Sequence, residues 1–425
     1  MKKIFFMLTC FFLYSRAAFC APVPLYDIRL SPPLLQVSSM NSKGALLAVQ
    51  SSESGPALSK VISIDRRGRI TVIEDLAETK ELTVPAGRLW IAGEQAGSGA
   101  DAPSRKLPVV GRQVYLSEGG ETYTTVFKTR GAYYELRHKD SDGGLLFLAV
   151  PREALGLNCV TVSGDGSRVL VSDESQPSAA QPGQRLYLYD REGRLLLDED
   201  MGDNPSGWLD IPGGFMSRDG SWFMAGRGAP GRAASTVALM DGEGSLVWEK
   251  NFFNAHRLIQ ETGGLVAVEG GSPSFINLID KDGSLKMLER SGYGFDFWVN
   301  GARDRAYLIM FKPFDVEKSG VPEAVKELFP GAKVVAVDIE KLMPEGYTRP
   351  VIEIAPDGKA FILSCEELLG GQEKTEFTLY GDDLKSRWHD SFFSGDVSAR
   401  FADGSRGFAL RFGEPVNRLI YYEDR

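Results

Sequence analysis

Ser217-Arg218-Asp219-Gly220-Ser221-Trp222 and, shortly after it, Val237-Ala238-Leu239-Met240-Asp241-Gly242-Glu243-Gly244-Ser245-Leu246-Val247-Trp248 decide the fold. Each phrase sets a four-residue turn between apolar runs. The first turn is Ser-x-Asp-Gly and the second Asp-x-x-Gly. Glycine supplies the positive φ that tight hairpins need, and aspartate hydrogen-bonds its own turn backbone. Short apolar runs bounded by such turns are strands. The stretch from Trp208 to Lys250 therefore predicts one four-stranded antiparallel unit.

The same alternation extends in both directions. Ser163-Gly164-Asp165-Gly166 pairs with Asp190-Arg191-Glu192-Gly193, and Pro356-Asp357-Gly358, Ala402-Asp403-Gly404 and Asp280-Lys281-Asp282-Gly283 continue the set. Paired turns lie about 25 residues apart and units repeat at about 40 to 55, the spacing of propeller blades. Units begin at Cys159, Trp208, His256, Phe295 and Val351, and a last piece from Val397 to Tyr422 holds three strands. Thr262-Gly263-Gly264 and Ala302-Arg303-Asp304 replace the first turn in the third and fourth. An open ring leaves unpaired edges, so a fourth strand is expected to be borrowed for the last unit. Tyr133 to Val150, with its own Asp140-Ser141-Asp142-Gly143 turn, is placed to give it. Residues 132–425 then form six blades. Counting Arg112 to Val150 makes seven, and absorbing Leu34 to Leu76 makes eight.

Val237 to Asp241 followed by Gly244 to Trp248 resembles the WD40-like repeats of quinoprotein-type and outer-membrane-assembly propellers. The docking tryptophan is present only at Trp248 and, shifted, at Trp388, so the resemblance implies a fold and not quinone binding. Further upstream, Pro85-Ala86-Gly87-Arg88-Leu89-Trp90 and Ser117-Glu118-Gly119-Gly120-Glu121-Thr122 resemble phrases of transthyretin-like and carboxypeptidase-regulatory-like β-sandwiches. That resemblance implies a small β-sandwich over residues 22–130. The expected fold is all-β, a six- to eight-bladed propeller after a sandwich-like domain.

Lys2 and Lys3 followed by the apolar run Ile4 to Tyr14 and by Ala18-Phe19-Cys20-Ala21 read as a signal peptide over residues 1–20, too short to span a bilayer. Acylation of Cys20 would call for leucine at 17 and a small residue at 19, where the chain has Ala17 and Phe19. A periplasmic or secreted protein with no transmembrane segment in the mature chain is expected. Cys159 and Cys365, in distant units, read as two buried thiols rather than a disulfide. The net charge of -9 and interspersed signs argue against nucleic acid as a partner.

Catalytic signals are sparse. His138, His256 and His389 stand far apart without metal-binding spacing, and no Gly-x-Ser-x-Gly elbow occurs. The acids at Asp140 and Asp280 fall short of a calcium loop, so no metal or cofactor is expected. The short turns crowd one rim of the units. Longer segments, among them Asp173 to Gln184, Gly226 to Ser235, Lys312 to Gly331 (with a helix from Pro322 to Phe329) and Glu366 to Lys374, project from the other. Variable loops on rigid sheets present binding surfaces. The candidate binding residues are the aromatic cluster Tyr293, Phe295, Phe297 and Trp298, with Arg227 and Arg232. The reading is a non-enzymatic binding or scaffold protein that engages a protein or peptide through this rim. The alternative is a propeller enzyme acting on glycans or esters, with carboxylates at the channel mouth.

Overall fold

A computed structural model describes residues 22–423 apart from 53–54, 85–89, 92–93, 96–104, 130–133, 151–155, 179–180, 204–214, 229–233, 254, 263–264, 271–274, 280–283, 290–294, 301, 311–329, 403–406 and 414. Regular structure among these residues is almost all strand, as the turns predict. The exceptions are a single helical turn, Ile339–Leu342, and a 3-10 turn, Leu76–Glu78. The expected helix from Pro322 to Phe329 lies outside the described residues.

The strands assemble into consecutive sheets. The first has seven strands in the order Val397–Phe401, Gly407–Phe412, Val416–Glu423, Val23–Met40, Ala45–Ser52, Gly55–Asp65 and Ile70–Asp75. The second joins Leu145–Ala149, Tyr134–Asp140, Thr122–Thr129, Arg105–Leu116 and Glu81–Val84. Four-stranded meanders follow at residues 156–203, 215–253 and 255–289, and a last one runs from Thr348–Ile354 to Ser386–Phe392. Before that last one stands a three-stranded sheet, Phe295–Val299, Arg305–Met310 and Lys333–Asp338, whose third strand runs parallel to the second. The reading of this unit as a regular meander is corrected by that parallel pairing.

Long strand Val23–Met40 works in two halves. Val23 to Arg29 pairs antiparallel with Glu423 to Arg418, and Leu34 to Met40 pairs with Gln50 to Leu46. Pro32 and Pro33 lie between the halves, where a missing N–H removes a ladder bond. The borrowed strand is therefore Val23 to Arg29, not Tyr133 to Val150. The physical reason is local: Tyr26 stacks on Tyr421 at 5.8 Å, and Asp27 accepts a fork from Arg418 at 2.6 and 2.8 Å. Tyr134–Asp140 is meanwhile fully paired with Thr122–Thr129. No sheet ends at the expected domain boundary near residue 130, because strands on both sides of it are partners.

One core cluster, with Tyr26, Leu34, Leu46, Ile62, Leu419 and Tyr421, lies within the first sheet, and the others lie between sheets. Leu47, Val49 and Val61 pack on Val114, Tyr123 and Phe127. Val126, Leu136 and Phe147 pack on Val169, Tyr187 and Tyr189, and Leu170, Leu186 and Leu188 pack on Met216, Phe223 and Met240. Further along, Tyr307 and Val337 meet Phe361 and Tyr380, and Ile362 and Phe377 meet Phe408, Phe412 and Tyr422. Among the described side chains, consecutive sheets thus pack on one another in chain order, with the sheet over residues 348–392 meeting Phe408, Phe412 and Tyr422 of the first.

The hairpin turns within the described residues hold as predicted, and those at Asp280 to Gly283 and Asp403-Gly404 lie outside them. Asp140 Oδ1 accepts from Asp142 N and Gly144 N at 3.0 and 2.8 Å, and Asp241 repeats this with Glu243 and Ser245. Ser217 Oγ donates to Asp219 Oδ1 at 2.8 Å and accepts from Trp222 N at 3.1 Å. Three turns of the same construction, Asn41–Gly44, Asp65–Gly68 and Ser117–Gly120, stand where the sandwich was expected. Opposite these turns, two of the expected long loops, 173–184 and 366–374, are largely strand, whereas 229–233 and 312–329 lie outside the described residues. Arg168–Ser178 and Gln181–Asp190 stay paired out to Ser178 and Gln181. Ala360–Leu369 and Gln372–Gly381 pair out to Leu369 and Gln372, joined by Gly370 and Gly371 at φ 58 and 86°. Two positive φ values make that a type I′ turn.

Candidate functional site

The turns that end the first strand of each sheet touch the next sheet. Ser39 N donates to Glu118 O at 2.8 Å, Gly119 N to Gly164 O at 3.0 Å, and Asp165 N to Arg218 O at 2.9 Å. Beside this chain of contacts opens a cavity of about 840 Å³. Its wall comes from Leu35 to Ser39, from Leu116 to Glu118, from Val162, and from the segments around Asp396, Arg400, Arg411 and Val416.

Charge converges here from three sheets. Arg400 on Val397–Phe401 donates from Nη2 to Glu118 Oε1, and its Nε lies 3.8 Å from Oε1 of Glu353 on Thr348–Ile354. Burial pushes the Glu353 carboxyl above its usual pKa, and Arg400 opposes the shift. Arg411, on the neighbouring strand Gly407–Phe412, donates from Nη2 to Ser38 O at 3.1 Å. Arg400 thus ties Glu118 and Glu353, from the two sheets neighbouring its own, to one guanidinium. The cavity can hold and orient a polar ligand. None of these residues was among the candidates from sequence. A signal existed: Glu353 and Arg400 are charged residues that each stand two residues before a first-hairpin turn.

The sequence candidates lie elsewhere. Trp298 packs edge-on against Tyr307 at 5.7 Å, beside the core between the three-stranded sheet and the next meander. Phe295 and Phe297 belong to the same strand, Phe295–Val299, and Arg227 to Trp222–Gly228 in a different sheet. Tyr293 and Arg232 lie outside the described residues.

The histidines keep apart. His138 is buried, with Nδ1 2.9 Å from Thr124 Oγ1 and Nε2 3.3 Å from Gly166 O, and its ring leans on Phe147. Burial pulls its pKa from 6.5 down to about 4. His389 sits on an outer strand, 3.3 Å from Glu376. Cys365 is a buried free thiol, pushed up to about 12 by burial. Among the described residues, no cluster of histidine, cysteine and acids could hold a metal, and no helix is long and apolar enough to cross a membrane.

His138 predicts an acid sensitivity. The unfolded imidazole takes its proton near 6.5 and the folded one near 4, so between those values the unfolded chain binds more protons. This contribution is complete above pH 6.5 and is lost as pH falls towards 4, on the order of 3 kcal/mol in all. Urea unfolding of His138→Gln against the parent, from pH 7 to 4.5, should show the parent losing its margin over the variant. Parallel curves would contradict a buried neutral His138.

No family model matches the chain. No curated protein matches it either. Solved structures do. A eukaryotic initiation factor aligns at 12% identity and a TM-score of 0.44, over 88% of this chain and 91% of its own. Oligogalacturonate lyase from Vibrio parahaemolyticus aligns at 11% and 0.42, over 95% and 92%. Prolyl oligopeptidase B from Galerina marginata aligns at 11% and 0.44, over 90% of this chain and 47% of that one. At these identities no activity is carried across.

Proposed function

We propose that the chain is an exported, non-enzymatic binding protein, folded as an eight-bladed β-propeller, that engages a protein or peptide through the rim of long hairpins. Sheet-to-sheet packing in chain order supports the ring, as does the strand that joins residues 23–29 to the last unit. On this reading residues 22–130 supply blades, the eight-blade alternative, instead of a separate sandwich. Export rests on the leader-like residues 1–20.

One observation carries the binding face. Leu368 and Leu369, 70% and 43% exposed, sit at the tip of the Gly370-Gly371 hairpin, and Phe393, 71% exposed, follows the outer strand paired with the base of that hairpin. Apolar side chains held clear of the core on a rigid hairpin fit a partner surface. On the opposite rim neighbouring turns bond to one another, as Gly119 does to Gly164 and Asp165 to Arg218. Among the described residues, Glu118 in the cavity wall and Glu353 beside it are both engaged by Arg400, which favours the binding reading over the enzyme one.

The triple variant Leu368→Ser, Leu369→Ser, Phe393→Ser should melt within about 2 °C of the parent, since exposed substitutions rarely move stability. It should lose at least about tenfold in recovery of a cross-linked envelope partner. Leu195→Ser with Leu246→Ser, exposed residues just after turns on the other rim, serves as control and should recover the partner normally. Equal recovery by the triple variant would reject this face.

A further inference from the structure

Arg411 is the unusual member of the cavity wall. Its guanidinium is largely buried, and among the described residues no carboxylate lies within ion-pairing distance of it. Its one hydrogen bond is to a main-chain carbonyl, Ser38 O, and its Nε–H is shielded from water with no acceptor. Burial and the neighbouring Arg400 pull its pKa down to about 10. Glu353 and Glu118 act on Arg411 favourably but without ion-pair contact, and a largely buried cation that borders a cavity with no carboxylate in direct contact leaves room for a bound anion to complete its pairing.

The rest of the wall narrows the class. A volume of about 840 Å³ suits a small molecule. Leu35, Val37, Leu116, Val162 and Val397 offer hydrocarbon contacts. Glu118 and Asp396 line the same space and oppose polyanions such as phosphate, because like charges brought together without water between them repel. We propose that the cavity binds a small organic monocarboxylate, its charge compensating Arg411 and its hydrocarbon body lying on Val37, Leu116, Val162 and Val397.

Hexanoate, hexanamide and inorganic phosphate are the probes, titrated calorimetrically into the full chain at constant ionic strength. Hexanoate should bind saturably and raise the melting temperature, with hexanamide and phosphate at least about tenfold weaker. Arg411→Met should lose hexanoate by at least about tenfold while its ligand-free melting temperature is unchanged or higher, since a largely buried charge with no carboxylate in direct contact is removed. Val397→Phe, which fills part of the cavity and leaves the charges in place, should also weaken hexanoate, and it keeps the test decisive if Arg411→Met does not fold. The hairpin-tip triple variant should bind hexanoate normally, so this site and the partner-binding face stand or fall separately. No hexanoate binding up to about 10 mM, equal binding of acid and amide, preference for phosphate, or unchanged hexanoate binding in Arg411→Met would each overturn the proposal.

Discussion

Removing residues 22–30 should lower the unfolding free energy by at least about 5 kcal/mol, enough to leave little native protein at 37 °C. The deletion takes away the only described partner of the free edge of Val416–Glu423 and exposes what Tyr26 and Leu30 cover, including the ring of Tyr421. Aromatic truncations in a core cost about 3–5 kcal/mol each, and an open edge adds an aggregation hazard. A synthetic peptide of residues 22–30 added in trans should restore part of the lost melting temperature. A variant with Asp27 and Tyr26 replaced by alanine should restore less, since the stack on Tyr421 and the fork to Arg418 are gone. Unchanged melting of the deletion variant would mean that the pairing with Val416–Glu423 does not hold the fold closed.

Gly166→Ala and Gly193→Ala should each cost about 3 kcal/mol, against about 1 kcal/mol for Gly370→Ala. All three glycines have left-handed φ, so they share the backbone term. The surroundings differ. A Cβ on Gly166 would sit 2.2 Å from Thr122 Oγ1, and one on Gly193 2.5 Å from Phe147 Cβ, both in the neighbouring sheet. At Gly370 nothing lies within 4 Å. Urea midpoints at constant m-value separate the three. If Gly193→Ala were no worse than Gly370→Ala, the sheets would not meet at that turn.

The contrast between these sites shows what was legible in the residues. Ser217 to Trp222 and Asp241 to Gly244 could be read because a turn's hydrogen bonds close within five residues. The same grammar is present at Asp65-Arg66-Arg67-Gly68 and Ser117-Glu118-Gly119-Gly120, within the residues read by resemblance as a sandwich. Segments 173–178 and 366–369 read as loops because they extend past the core, where neither face needs apolar residues and the period of two disappears. At Trp298 the residues alone leave the packing open, since an aromatic alternating along a strand has the same pattern whether it faces water or, as here, a ring such as Tyr307. The cavity was illegible. Glu118, Glu353, Arg400 and Arg411 meet only because separate sheets pack side by side, and no window of sequence contains that information.

The pairing of Val23 to Arg29 with Val416–Glu423 also sets a timetable. Asp27 and Arg418 are 391 residues apart, so the first of these strands leaves the ribosome tens of seconds before its partner exists. During that interval Val23, Leu25 and Tyr26 are an unclaimed sticky edge, and the last unit cannot be completed until Val416–Glu423 has been made. A chain arranged this way gains its final cooperativity in one late step, and a premature stop anywhere upstream of Val416 yields a product with an open sheet edge.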